Sequence, residues 1–141
     1  QYEDVDFVPE GVKIFVRRSK TDQSGEGMTK AIPYFENLSY CPVISLKNWI
    51  NFSNITNGVI FKMSDKNVSL VIKKYAKLAG LDPSKYSGHS LRSGFATTTA
   101  EFGAEERNIM AMTGHKSTQM VRRYIQESNL FKQNALNKIK I

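Results

Sequence analysis

Val12, Ile14 and Val16 fall on one side of an extended chain and Lys13 and Phe15 on the other, the alternation of a half-buried strand. In the next segment, RRSKTDQSGEGM, Gly25 and Gly27 supply the turn before a second run, Met28 to Tyr34, so the two runs predict a hairpin. Tyr2 to Val8 reads as a third short strand of the same sheet. After YCPV the period lengthens. Val43 to Phe52, with Leu46, Trp49 and Ile50, suits an amphipathic helix, and the polar loop SNITNG separates it from a short apolar run. Ser64 or Asp65 can cap the next helix, where Val68, Val71, Ile72, Tyr75 and Ala79 recur at helical spacing before Gly80 ends it. DPSKYSGHS reads as a turn. Three more helices are predicted at about Ser90 to Glu101, Glu105 to Met112 and Ser117 to Ile125, the first two closed by Gly103 and Gly114. A last amphipathic stretch runs from Leu130 to Ile139, and no internal repeat or low-complexity segment is visible. The expected fold class is α+β, mainly α: a small N-terminal antiparallel three-stranded sheet followed by a helical bundle.

At 141 residues the chain is long enough for one ordinary domain with a real core. Twenty Lys and Arg against thirteen Asp and Glu leave a net charge of +7, which favours a polyanionic partner, either nucleic acid or an anionic membrane surface. Charge alone does not choose between them. No apolar run approaches the roughly 18 residues of a membrane span. Cys41 is the only cysteine, so no internal disulfide can form and a reducing, cytoplasmic setting is expected. The opening QYEDVDF lacks an initiator Met and reads as the start of a fragment of a longer protein. Neither common Gly-rich phosphate loop is present, which disfavours nucleotide binding of those kinds.

Three groups of residues can carry chemistry. In GHSLRSG, His89 and Arg92 stand one helical turn apart at a helix start, where an imidazole, a guanidinium and backbone N–H groups can meet one phosphate. The plain alternative is a capping histidine beside a surface arginine. In GHKSTQMVRRYI, Gly114 can end one helix and Ser117 cap the next, with His115 at the bend and Tyr124 in the second helix. Met120, Val121, Tyr124 and Ile125 form an apolar stripe, so Tyr124 is either a core residue or a functional one. Arg122 and Arg123 lie largely off that stripe and face solvent, or phosphate if the partner is DNA. The hairpin tip carries Arg17, Arg18 and Lys20, which are solvated charges or cations reaching into a nucleic-acid groove. His89, His115 and Cys41 fit no zinc spacing, and no metal site is expected.

Taken in order, Lys20 within S-K-T on a hairpin, His89 and Arg92 within H-x-L-R, Gly114-His115 and then Tyr124 closely resemble the catalytic domain of the tyrosine recombinase (phage integrase) family. The resemblance covers nearly the whole chain, including YEDVD at the start and YCPV before the Trp49 helix. It implies that Tyr124 attacks a DNA phosphodiester to give a 3′-phosphotyrosyl link and a free 5′-hydroxyl, keeping the bond energy so that resealing needs no ATP. Arg92 would bind the non-bridging oxygens. His89 would help accept the tyrosine proton, His115 would hydrogen-bond or pack at the phosphate, and Lys20 would protonate the departing 5′-oxygen. Arg17, Arg18, Lys116, Arg122 and Arg123 would contact DNA. No metal or organic cofactor is implied, because fixed cations neutralise the charge. The implied activity is that of a site-specific recombinase or integrase of a mobile element, acting on double-stranded DNA as a tetramer when full-length. The family's first arginine precedes the YEDVD-like strand and has no counterpart here. Residues 1–141 are therefore expected to form a single partial catalytic domain, inactive or weak alone. Residues 130–141, with Phe131, Leu136 and Ile139, are expected to dock on a neighbouring protomer. The other readings are a non-enzymatic DNA-binding module with a repurposed recombinase-like fold, and a type IB topoisomerase-like activity.

Overall fold

The alternation at Val12 to Val16 becomes the central strand of a three-stranded antiparallel sheet: β1 (Val5–Val8), β2 (Gly11–Val16) and β3 (Met28–Pro33), in that order. The structure is a computed structural model that describes residues 1–17, 26–114 and 117–129. The described residues group into two compact units, Gln1–Lys62 and Met63–Ile141. The hairpin tip with Arg18 and Lys20, the pair His115 and Lys116, and the stretch from Leu130 onward lie outside the described residues.

In the first unit, Val5 pairs with Ile14 and Phe7 with Val12 across β1 and β2, and Val12 pairs with Ile32 on β3. Their shared face packs with Cys41, Val43, Ile44 and Leu46 into one cluster. Lys13 and Phe15 face away, as a period of two requires. The first strand is shorter than expected because Tyr2–Asp4 winds into a 3₁₀ turn. Its acidic side chains are already engaged: Glu3 accepts the Gly58 N–H at 2.8 Å and Asp4 accepts Arg17 Nε at 2.7 Å. The third strand stops at Pro33, whose ring removes the ladder donor, one residue before the expected end at Tyr34. Helix α1 (Pro42–Phe52) starts with proline at its first position, where no N–H is needed, and buries Val43 and Ile50. Trp49 donates Nε1–H to the Ile60 carbonyl at 3.1 Å and stacks on Phe61. The Cys41 thiol is fully buried. Burial pushes its pKa up, but hydrogen bonds from the backbone N–H groups of Phe35, Ile44 and Val43 outweigh that and leave it lowered.

The second unit is helical: α2 (Asp65–Leu78), α3 (Gly88–Glu101), α4 (Glu106–Thr113) and α5 (Thr118–Asn129). Ser64 caps α2 through the Asn67 N–H, and Gly80 follows its end as expected. The Val68, Val71 and Tyr75 positions stay exposed, however, because α2 buries Ala76 with Ile72 half-buried beside it. Helix α3 begins two residues earlier than its apolar pattern predicts. The Ser87 hydroxyl accepts the Ser90 N–H and the Ser90 hydroxyl accepts the Ser87 N–H, a reciprocal cap that moves the boundary to Gly88. Among the described residues no helix is long and apolar enough to cross a membrane.

Two substitutions test these contacts. A Cβ at Gly11 would lie 2.1 Å from the Ile32 carbonyl oxygen, so Gly11→Ala should cost about 3 kcal/mol by forcing β2 and β3 apart, read by chemical denaturation. The Arg17 hydrogen bond holds the Asp4 carboxyl below its ordinary range, and hydrogen bonds from Gly58 and Ser84 do the same for Glu3 and Asp82. With folded-state pKa values depressed, this stabilisation is present above the ordinary carboxylate value of about 4 and is lost as pH falls through the lower folded values. Arg17→Ala should therefore reduce stability at neutral pH and flatten its decline in acid, measured as melting temperature between pH 7 and pH 2.

Candidate active site

Helix α3 reads GHSLRSGFATTTAE, a poor helix former on propensity, rich in Gly, Ser and Thr. Two of its three threonines turn their hydroxyls onto the helix itself: Thr97 donates to the Ser93 carbonyl at 3.1 Å and Thr99 to the Phe95 carbonyl at 2.7 Å. What commits the segment to a helix is packing. Ala96 and Ala100, one turn apart, are buried with Ile109 of α4 and Val121 of α5 in the core of this unit. Methyl-sized side chains on α3 let α5 approach closely, and Val121 is fully buried at the contact.

That close approach decides the geometry one turn further along. Ser93 lies one turn before Ala96 on α3, and Tyr124 one turn after Val121 on α5. The Tyr124 hydroxyl donates to Ser93 Oγ at 3.1 Å. The ring of Tyr124 packs against the core cluster while its oxygen reaches the neighbouring helix. The apolar stripe and a polar contact are thus compatible: the body of the side chain packs against the core, and its hydroxyl tip is left for a hydrogen bond.

His89 and Arg92 stand in the first turns of α3, both exposed, on the side of the helix that also carries Ser93. His89 does not cap the helix, because Ser87 does. The first turn of α3 contains no acidic residue, so its free N–H groups and Arg92 offer an anion a favourable field. Gly114 ends α4 in the left-handed conformation, φ 69°, with its N–H on the Met110 carbonyl. Ser117 Oγ then accepts the Gln119 N–H and starts α5, as expected from its position. His115 and Lys116 fall between these two ends, outside the described residues, as do Lys20 and Arg18.

The structure thus places His89 and Arg92 on α3 and Tyr124 on the packed helix α5, and the link between the two helices at this point is the one from Tyr124 to Ser93. It also shows relations that sequence reasoning missed. Arg122 donates Nε–H to both Glu106 oxygens, at 3.3 and 3.2 Å, and ties α5 to α4. Arg17 is paired with Asp4. Such ion pairs join residues far apart in the chain and leave no local signal. Ser93 did carry a signal, being one turn from His89 and adjacent to Arg92, but hydroxyl residues are too common on helices for that to single it out. Among the described residues no three His, Cys, Asp or Glu side chains gather into a metal-binding group.

The chain belongs to the phage integrase family, whose sequence profile matches residues 1–130. It is similar to an integrase/recombinase XerD homolog of Selenomonas ruminantium, 46% identical over 99% of this chain and 44% of that protein. It is also similar to the tyrosine recombinase XerD of Xanthomonas axonopodis pv. citri, 43% identical over 33% of this chain and 15% of that protein. A third relative is the tyrosine recombinase XerA of Pyrococcus horikoshii, 32% identical over 57% of this chain and 27% of that protein. The chain therefore spans less than half the length of these curated relatives. No solved structure gives a significant match.

Ala96→Leu tests whether the close approach of α3 and α5 sets the Tyr124 geometry. The added side chain should cost about 1–3 kcal/mol through overpacking and separate Tyr124 from Ser93. Thermal unfolding would report the first effect, and a nuclear Overhauser contact between the two side chains the second.

Proposed function

We propose that the protein is a site-specific DNA recombinase or integrase of a mobile element that cuts and rejoins double-stranded DNA through Tyr124. The observation that supports this most is the Tyr124–Ser93 hydrogen bond, which draws the tyrosine of α5 to the part of α3 that bears Arg92. In this reading the Tyr124 oxygen attacks a phosphodiester phosphorus, the P–O bond to the 5′-oxygen breaks, and a 3′-phosphotyrosyl link remains with a free 5′-hydroxyl. Arg92 holds the non-bridging oxygens, where charge grows in the transition state, and a guanidinium that never loses its proton suits that task. His89 assists removal of the tyrosine proton. Lys20 delivers a proton to the leaving 5′-oxygen, and His115 supports the phosphate. The family membership of the chain supports this reading, and the roles of Lys20, His89, Arg92, His115 and Tyr124 are taken from the resemblance of the sequence to that family.

Double-stranded DNA is the partner, in keeping with the +7 net charge. Arg17, Arg18, Lys116, Arg122 and Arg123 contribute phosphate contacts. At Arg17 and Arg122 a phosphate competes with Asp4 and Glu106, so DNA binding there exchanges one anion for another. The full-length protein assembles as a tetramer on DNA, with residues 130–141 docking on a neighbour.

The test is covalent trapping. The full-length protein, incubated with nicked duplexes from the region beside its gene, should give a protein–DNA adduct that survives denaturing electrophoresis. Tyr124→Phe should abolish the adduct and leave DNA affinity within about two-fold, since one phenolic oxygen contributes little to a contact dominated by phosphate neutralisation. Tight, salt-sensitive DNA binding with no adduct would instead indicate a DNA-binding module built on a recombinase fold. Relaxed circles without exchanged strands would indicate a topoisomerase.

A further inference from the structure

We infer that Ser93 is a positioning residue for the Tyr124 nucleophile, a role that rests on the reading of Tyr124 given above. Three observations converge on it. The Tyr124 hydroxyl donates its proton to Ser93 Oγ at 3.1 Å, between two helices that are separate in the chain. The serine directly follows Arg92 and stands one turn after His89, so the anchor of the nucleophile and the two side chains of the proposed phosphate site share consecutive turns of α3. The tyrosine ring is packed against the cluster of Ala96, Ala100, Ile109 and Val121, which restricts where the ring can go but does not define the height and direction of its oxygen.

The hydrogen bond to Ser93 occupies one direction around the phenolic oxygen and leaves a lone pair able to point elsewhere, and a nucleophile attacks through a lone pair. Ser93 is itself a neutral hydroxyl and does not serve as the base; its part is to hold the oxygen in one place until a base takes the proton. Misplacing an attacking atom by about 1 Å can cost on the order of a hundred-fold in rate, so a single hydrogen bond at this position influences the chemical step far more than it influences stability. Ser93 is half-buried between the helices, and its carbonyl also accepts the Thr97 hydroxyl, which fastens the local backbone.

The test is single-turnover cleavage by the full-length protein on a nicked duplex that traps the adduct, comparing Ser93→Ala, Ser93→Thr and the parent, with DNA affinity and melting temperature measured alongside. Ser93→Ala should slow adduct formation roughly ten-fold, the effect of one lost hydrogen bond of about 1.4 kcal/mol at the reacting atom, while DNA affinity stays within about two-fold. Ser93→Thr, which keeps the hydroxyl, should recover most of the rate. The carbon-13 resonance of Tyr124 Cζ should move in Ser93→Ala and stay near its parent position in Ser93→Thr, a readout that does not depend on cleavage. Parent-like cleavage by Ser93→Ala, or a Tyr124 resonance indifferent to the loss of the hydroxyl, would overturn the role of Ser93 while leaving Tyr124 as the nucleophile. A parent protein that forms no adduct with any duplex would overturn the nucleophile itself, and the two failures are thereby told apart.

Discussion

The contact of Ala96 and Ala100 with Val121 is the constraint on which the helical unit depends. Two methyl groups one turn apart leave no bulk on that face of α3, so α5 can settle close against it and exclude water from Val121 and Ile109. The residues of the proposed site in this unit lie within a turn or two of that contact. Arg92 and Ser93 are about a turn before Ala96, and Tyr124 is a turn after Val121, so the distance between the helix axes decides whether a phenol and a serine meet. A larger residue at either alanine would be accommodated by the same hydrophobic effect but at a different spacing. The Tyr124–Ser93 contact is therefore set by the smallest side chains of the core rather than by its largest.

The cations complement this picture. A net charge of +7 describes the whole chain, but individual guanidinium groups are already committed: Arg17 to Asp4, Arg122 to Glu106 and Arg107 to Glu105. At exposed sites such pairs contribute little to stability, because water competes well for both partners. Their consequence lies in placement. Arg122 joins α5 to α4 through both oxygens of Glu106. Arg92 follows the first turn of α3, which carries no acidic residue.

Much of the fold was legible in the chain because its signals are local. The alternation from Val12 to Val16 follows from a period of two, and Gly80, Gly103 and Gly114 each come after a helix end as expected from their residue type alone. Ser117 was identifiable as a cap for the same reason, and Ser64 as one of two candidates with Asp65. Where local reading went astray, a side chain had a partner that the window did not contain. Asp4 and Glu3 were taken up by Arg17 and Gly58, turning the first residues of an expected strand into a 3₁₀ turn. Ser87 and Ser90 capped each other and drew the start of α3 forward to Gly88. The apolar stripe of α2 pointed to a buried face along Val68, Val71 and Tyr75, yet burial went to Ala76, because periodicity shows that a face exists and not which edge of it a neighbour covers.

The sequence by itself determined the order of the sheet and helices and singled out the candidate residues for phosphoryl chemistry, since residue type and spacing are properties of the chain alone. It also determined that Tyr124 lies on an apolar stripe, but that fact left a core residue and a nucleophile both open. Only the tertiary structure decided between the parts of the side chain, packing the ring against the cluster of Ala96, Ala100, Ile109 and Val121 and bringing the hydroxyl to Ser93. The reason is that hydrophobic burial acts on area and can be anticipated from composition, whereas a hydrogen bond between residues far apart in the chain needs two helices at one separation, and that separation exists only after they have packed.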